Sequence, residues 1–255
     1  MTVPPYLDTT GPIALAHRGA SNDQPENTMA AFESAVDLGF RYLETDVHVT
    51  RDGVLIAFHD DRLDRVTHHK GLISDLDWSE IKQARVDGQE PIPLLEDLFD
   101  HWPDLRINLD PKSDAVVAPL VKTIRDSKLI ERICIGSFSG ERLNVFRESF
   151  GPDICTSMGP MDVFRLRMTS LPFPAPFQQQ TFSAQCVQVP LTRWGLPIID
   201  NLFVSTAHKL GLKVHVWTIN DETEMIRLLD LGVDGLISDE AKLLKSVFIS
   251  RGIWH

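Results

Sequence analysis

From Ile13 almost to the C-terminus, short apolar or β-branched runs alternate with segments of helical period, and this alternation constrains the fold more than any other feature. Neighbouring parallel strands need a crossover, which a helix supplies, so repeated strand–helix units build a parallel sheet covered by helices. Runs at 13–17, 41–46, 106–110, 132–137, 153–157, 185–190, 213–218 and 235–238 read as strands. Helical segments fall at 26–38, 78–86, 94–101, 114–128, 140–149, 160–169, 198–210, 221–231 and 240–249. Eight such units close an α/β barrel, and 255 residues is an ordinary length for one barrel domain spanning 1–255.

One further apolar run, 54–59, follows Arg51-Asp52-Gly53, which reads as a tight turn rather than a crossover. It is expected to fold back antiparallel on an extension of strand two. Centred on Asp52, this small hairpin insertion puts His59 opposite Thr45, between Glu44 and Asp46. Residues 171–184, with three prolines and three phenylalanines, read as an irregular loop on the rim.

Composition narrows the partners. A net charge of −11 disfavours nucleic acid and anionic membrane surfaces, which want a basic face. The apolar runs fall short of the roughly 20 residues a bilayer span needs, so stable membrane insertion is not expected. MTVPPYLDTT lacks the basic and apolar regions of a secretory signal, and the expected location is cytoplasmic. Cys134, Cys155 and Cys186 sit in strand runs and read as reduced core residues.

In barrels of this kind the C-terminal strand ends carry the site. Strand one ends in His17-Arg18-Gly19, strand two in Glu44-Thr45-Asp46 and strand three in Asp110-Pro111-Lys112, while the hairpin delivers His59-Asp60. Glu44 and Asp46 are two apart, so they project to one face. Paired carboxylates there call for a cation, and oxygen ligands suit Mg²⁺ or Ca²⁺. Taken singly, each of these residues has an ordinary reading: a core histidine, an arginine paired with Glu26, solvated acids, an exposed lysine. Their convergence on one mouth favours chemistry.

His17-Arg18-Gly19, Pro25-Glu26-Asn27-Thr28, Glu44-x-Asp46, and His59-Asp60 followed by Leu63-x-Arg65-Val66-Thr67 resemble the glycerophosphodiester phosphodiesterase family. Ile92-Pro93, Leu95-Glu96-Asp97-Leu98, Ser137-Phe138, Trp217-Thr218-Ile219-Asn220 and Gly232 to Asp239 resemble its later blocks. The likeness runs from about residue 13 to 245. It implies a TIM (β/α)8 barrel that hydrolyses glycerophosphodiesters to glycerol 3-phosphate and an alcohol, in lipid and glycerol metabolism. It further implies Glu44, Asp46 and Asp110 as ligands of a divalent metal, and His17 and His59 as the catalytic pair. Arg18 and Lys112 match phosphate-contacting cations, and Trp217 an aromatic near the substrate. Asp239 is read as a turn and helix start. The third ligand in the family is usually glutamate. Asp110 is one methylene shorter, about 1.5 Å less reach, and Pro111 after it biases it towards an extended backbone.

The expected mechanism has His17 and His59 sharing the roles of base and acid, which suits imidazole near neutrality. The attacking oxygen is water or the substrate's own glycerol 2-hydroxyl, the latter through a cyclic phosphate. A lysophospholipase D-like activity and a barrel that binds phosphodiesters without cleaving them are the alternatives. Metal-dependent amide hydrolysis fits less well, since strand one has no His-x-His.

Overall fold

The computed structural model of the chain describes residues 4–171, 181–193 and 195–254. Its eight barrel strands are β1 Ile13–His17, β2 Tyr42–Val49, β3 Arg106–Pro111, β4 Ile133–Ile135, β5 Cys155–Thr156, β6 Cys186–Pro190, β7 Lys213–Trp217 and β8 Gly235–Ser238. The ladder runs β5-β4-β3-β2-β1-β8-β7-β6. Its two ends meet through one bridge, Ser157 to Cys186, with the amides of Met158 and Gln185 donating to Cys186 and Thr156 oxygens at 3.0 and 3.1 Å. This is the TIM barrel, nearly closed, with a thin seam between β5 and β6.

Helices α1 Met29–Asp37, α2 Trp78–Ile81, α3 Leu95–His101, α4 Asp114–Asp126, α5 Gly140–Phe150, α6 Pro160–Ser170, α7 Asn201–Lys209, α8 Glu222–Leu231 and α9 Ala241–Ser250 follow the strands. Thr28 caps α1 by accepting from the Ala31 amide, and Asp200 caps α7 by accepting from Phe203. None of these helices is long and apolar enough to cross a membrane.

Alternation along the strands sorts side chains into two cores. Leu43 and Val47 of β2 point outward to the helices, among residues such as Phe32, Leu120, Phe203 and Leu244. Tyr42 points inward with Ile13, Leu15, Ile237 and the three cysteines. A short turn at Pro5–Leu7 plugs the barrel floor: Tyr6 is fully buried, edge-on to Tyr42 at 5.3 Å. Glu44 and Asp46 share the inward face of β2, above Tyr42.

The hairpin forms in the expected register, with Leu55–Ala57 antiparallel to β2 and Val47 paired with Ala57, a pairing centred on Asp52. Gly53 makes the turn possible at φ +86°. Strand two therefore runs on to Val49 rather than stopping at 46. The insertion has its own small core of Ile56, Phe58, Leu63, Ile73, Ile81, Val86 and Ile92. The helix expected at 78–86 is a single turn, Trp78–Ile81, after which Arg85–Val86 pairs with Glu90–Pro91. A second small ribbon, Thr192–Arg193 with Leu196–Pro197, precedes α7, so the helix expected from 198 starts at Asn201. Of the loop expected at 171–184, residues 172–180 lie outside the described residues.

Candidate active site

All eight residues singled out in the sequence line one cavity of about 900 Å³ at the C-terminal mouth: His17, Arg18, Glu44, Asp46, His59, Asp110, Lys112 and Trp217. β1 delivers His17, and the chain then turns sharply at Arg18 (φ 55°) and Gly19 (φ 80°). The turn depends on Gly19, because a Cβ there would lie 2.6 Å from the Ala31 carbonyl carbon. This close approach sets the start of α1 against the strand end.

His17 is held from both sides. Its Nδ1 lies 2.6 Å from Asp239 Oδ1, and its Nε2 is 3.7 Å from Glu44 Oε2. Burial alone would lower its pKa, but Glu44 and Asp239 outweigh burial and raise it. Asp239 also accepts from Ser21 at 3.1 Å and from Asn220 at 2.8 Å. Burial pushes the other way, yet these hydrogen bonds, His17's first among them, hold Asp239 at about 2. The reading of Asp239 as a mere helix start is thus corrected: it orients a site imidazole.

His59 has a matching arrangement. Its Nδ1 lies 2.5 Å from Asp60 Oδ1, and Arg65 Nε lies 2.6 Å from Asp60 Oδ2. Arg65's hydrogen bond is the main reason Asp60 is held at about 2. The His59 backbone oxygen lies 3.1 Å from His48 Nε2, which fixes the end of the hairpin onto β2. Burial lowers the pKa of His48.

The two cations are engaged by acids. Arg65 and Arg18 both pair with Glu26, at 2.5 and 3.0 Å, and Arg18 Nε is 3.1 Å from Asp46 Oδ2 without hydrogen-bond alignment. Lys112 bridges Asp46 at 2.6 Å and Asp110 at 2.8 Å. A continuous chain of ion pairs therefore runs Asp60–Arg65–Glu26–Arg18–Asp46–Lys112–Asp110. Asn27, buried at φ 56°, ties it to the barrel by donating to Asp46 at 2.9 Å and accepting from Thr45 at 2.8 Å. Glu26, Asn27, Asp60 and Arg65 stood in the motifs without a role. Their signal was membership of the same motif blocks as the histidines: Glu26 and Asn27 stand just before α1, and Asp60 and Arg65 follow His59.

The carboxylates divide. Burial opposes ionisation of Asp46, but Lys112 and Arg18 keep it below the ordinary range. Burial raises Asp110 despite Lys112. Glu44 is pushed up to about 7, by burial first and by Asp46 next. Among the described residues no ammonium or guanidinium pairs with Glu44, and a buried carboxylate with a like charge beside it is what a hard divalent cation relieves. An oxygen-only donor set at Glu44 and Asp46 fits Mg²⁺ or Ca²⁺. Asp46 and Asp110 are both turned onto Lys112, and Asp46 also meets Arg18 and Asn27, so a cation there displaces Lys112 from these two carboxylates. Among the described residues, the three-ligand group already gathered within 4.8 Å is the cysteine trio, not these acids.

Trp217 lies at the end of β7 with its ring edge-on to Phe138 at 5.8 Å. Together they begin an apolar wall continued by Met161, Phe164, Met168 and Leu196. The mouth thus has a charged half on β1 to β3 and a largely apolar half on α6 and the ribbon before α7.

This geometry has relatives. A protein of Mycobacterium tuberculosis named "Probable glycerophosphodiester phosphodiesterase 2" is 38% identical over 251 residues, covering 98% of this chain and 95% of that one. A glycerophosphodiester phosphodiesterase of Caldanaerobacter subterraneus subsp. tengcongensis is 31% identical, covering 91% and 96%. The structure of an Oleispira antarctica phosphodiesterase in complex with the product sn-glycerol-3-phosphate superposes with a TM-score of 0.74 at 25% identity, covering 94% of this chain and 97% of that one. The model of the glycerophosphoryl diester phosphodiesterase family matches residues 17–243, from the first site histidine to beyond Asp239, and this chain belongs to that family.

Proposed function

We propose that the chain hydrolyses glycerophosphodiesters to glycerol 3-phosphate and an alcohol, with His17 and His59 transferring protons and a divalent cation held by Glu44, Asp46 and Asp110. The observation that carries this reading is the matched pair of imidazoles. Each has Nδ1 on a carboxylate, and both line a cavity that also holds a guanidinium and an ammonium. With Nδ1 committed, Nε2 is the nitrogen that exchanges a proton with substrate. One ring takes the proton of the attacking hydroxyl and the other supplies one to the leaving alkoxide.

Arg18 suits bidentate binding of phosphoryl oxygens and Lys112 adds a point charge, each giving up part of its contact with Glu26, Asp46 or Asp110. Mg²⁺ or Ca²⁺, when bound, supplies Lewis-acid polarisation of a phosphoryl oxygen and a glycerol hydroxyl. Attack by the glycerol 2-hydroxyl, with later opening of a cyclic phosphate by water, gains from proximity. Efficient turnover of a 2-deoxy substrate would exclude that route. The three free, buried thiols are consistent with a cytoplasmic setting, and the net charge of −11 with a small-molecule partner rather than nucleic acid.

The test is glycerol 3-phosphate release from glycerophosphocholine and glycerophosphoethanolamine, before and after chelation. Release falls on chelation and returns with Mg²⁺ or Ca²⁺. His17→Ala and His59→Ala each lower kcat about 10²- to 10⁴-fold. Undiminished turnover in either variant removes that imidazole from the mechanism, and undiminished turnover after chelation removes the metal.

One observation favours a second substrate class. Met161, Phe164 and Leu196 are 62%, 59% and 69% exposed around the same cavity, more apolar surface than a small polar headgroup uses. A lysophospholipid acyl chain would cover it, giving a lysophospholipase D-like reaction at the same atoms. Turnover of lysophosphatidylcholine that falls in Phe164→Ser, with glycerophosphocholine turnover retained, supports this reading; no lysolipid turnover rejects it.

A further inference from the structure

Beneath the active site, the floor of the barrel carries a group that the phosphodiesterase reading does not use. Cys134, Cys155 and Cys186 project inward from β4, β5 and β6, are all fully buried, and form no disulfide. Their sulfurs lie within 4.8 Å of one another, with Cys134 and Cys186 at 3.8 Å. Three sulfurs in trigonal coordination, with metal–sulfur bonds of about 2.3 Å, stand about 4 Å apart. The trio is therefore already close to the spacing of a three-thiolate site.

Two further observations point to a ligand. The Tyr6 hydroxyl is fully buried and has no hydrogen-bond partner among the described residues, although such a group ordinarily finds one. It packs in the same small cluster as the three cysteines and lies near enough for charge on each of them to act on it. None of the three sulfurs accepts from it where they stand, so the barrel floor keeps an unmet polar group beside the thiols. The second observation is the position of the trio in the sheet. β5 has two residues, and the barrel closes between β5 and β6 through the single bridge Ser157 to Cys186. Cys155 and Cys186 stand on the two sides of that seam, and Cys134 stands on the next strand.

We propose that the three cysteines form a site for a soft monovalent cation, copper(I), which fastens the barrel across the seam between β5 and β6. Thiolate donors select soft cations. Among the described residues no fourth His, Cys, Asp or Glu joins the trio, so the site suits a three-coordinate ion better than zinc, which takes four ligands. Burial pushes the Cys134 and Cys155 thiols up, whereas hydrogen bonds from those two thiols, with His215 and Arg147 nearby, pull Cys186 down, so one thiol of the trio gives up its proton ahead of the others. Binding releases thiol protons to solvent, copper stays in the +1 state and no sulfur is oxidised, so affinity rises with pH. Arg106, whose guanidinium lies 5.4 Å from the Tyr42 ring centroid, offsets part of the added negative charge on the floor. The inference is independent of the reaction above, since it uses none of its residues.

The test is an anaerobic titration of the metal-free protein with copper(I) held by a chromophoric chelator, alongside Zn²⁺ and Mg²⁺, both by direct addition and by refolding from urea with the metal present. The expected result is one copper(I) per chain, retained in His17→Ala and lost in Cys134→Ser and in Cys155→Ser, with circular dichroism reporting that each variant is folded. Copper also slows hydrogen exchange at residues 155–158 and 185–187 in the wild-type protein. The proposal is overturned by no copper uptake in either arm, by equal uptake in folded Cys→Ser variants, by zinc held in preference to copper, or by unchanged exchange at the seam.

Discussion

In the proposed reaction, Asp239 decides which nitrogen of His17 is left to meet the substrate. Its Oδ1 lies 2.6 Å from Nδ1, and Ser21 and Asn220 hold the carboxylate in place. Asp239→Asn preserves shape but removes the charge, one of the two that raise the His17 pKa. His17 should therefore titrate lower in the variant, as followed by NMR of its ring protons. Loss of a partner that orients an imidazole costs about 10- to 100-fold, and the expected fall is in kcat with KM little changed. An unmoved titration with unchanged kcat would return Asp239 to a structural role. Glu is the conservative test of rescue, since it restores charge with one methylene of misfit.

At the scale of elements, His59 is only as well placed as the insertion that carries it. The hairpin leans on a separate core around Leu63, which is fully buried among Ile56, Phe58 and Ile73. Leu63→Ala should cost about 2–5 kcal/mol, and the loss falls on the piece that positions one imidazole. Leu244→Ala, equally buried but between α9 and the barrel wall, carries a similar cost. The expected contrast, by urea denaturation and steady-state kinetics, is lower kcat per folded molecule for the first and unchanged kcat for the second. Equal kcat in both would mean that the insertion core does not position His59. The hairpin register was legible because a turn centred on Asp52 leaves one antiparallel pairing, and side-chain alternation then fixes the face. The single-turn α2 was not legible: residues 78–86 have helical pattern, but Arg85–Val86 is drawn into a ribbon with Glu90–Pro91, and tertiary pairing overrides local preference. Asp239 was misread for a related reason. An aspartate between a strand and a helix looks like a cap, and only the pairing of β8 with β1 sets it beside a histidine 222 positions away. The cysteine trio likewise required three strands to share one interior.

For the whole molecule, charge sets the pH range over which the fold holds. The chain carries −11 near neutrality, so mild acidification first relieves self-repulsion. Below that, depressed carboxylates act in the opposite sense, Asp60 and Asp239 among them. Asp60 and Asp239 titrate at about 2 in the folded chain, against an ordinary 3.8. Between those values the unfolded chain takes up protons that the folded one refuses, so their stabilisation is complete above about pH 4 and is lost as pH falls towards 2. Stability should therefore peak in mild acid and drop steeply below it. A variant carrying Asp60→Asn and Asp239→Asn should be less stable than wild type above pH 4 and show a flatter loss between about pH 4 and pH 2, measured as urea midpoints across that interval. If the variant lost stability as steeply as wild type there, acid sensitivity would lie in carboxylates outside the two histidine pairs. The carboxylates that hold the imidazoles in position would then contribute nothing to acid resistance.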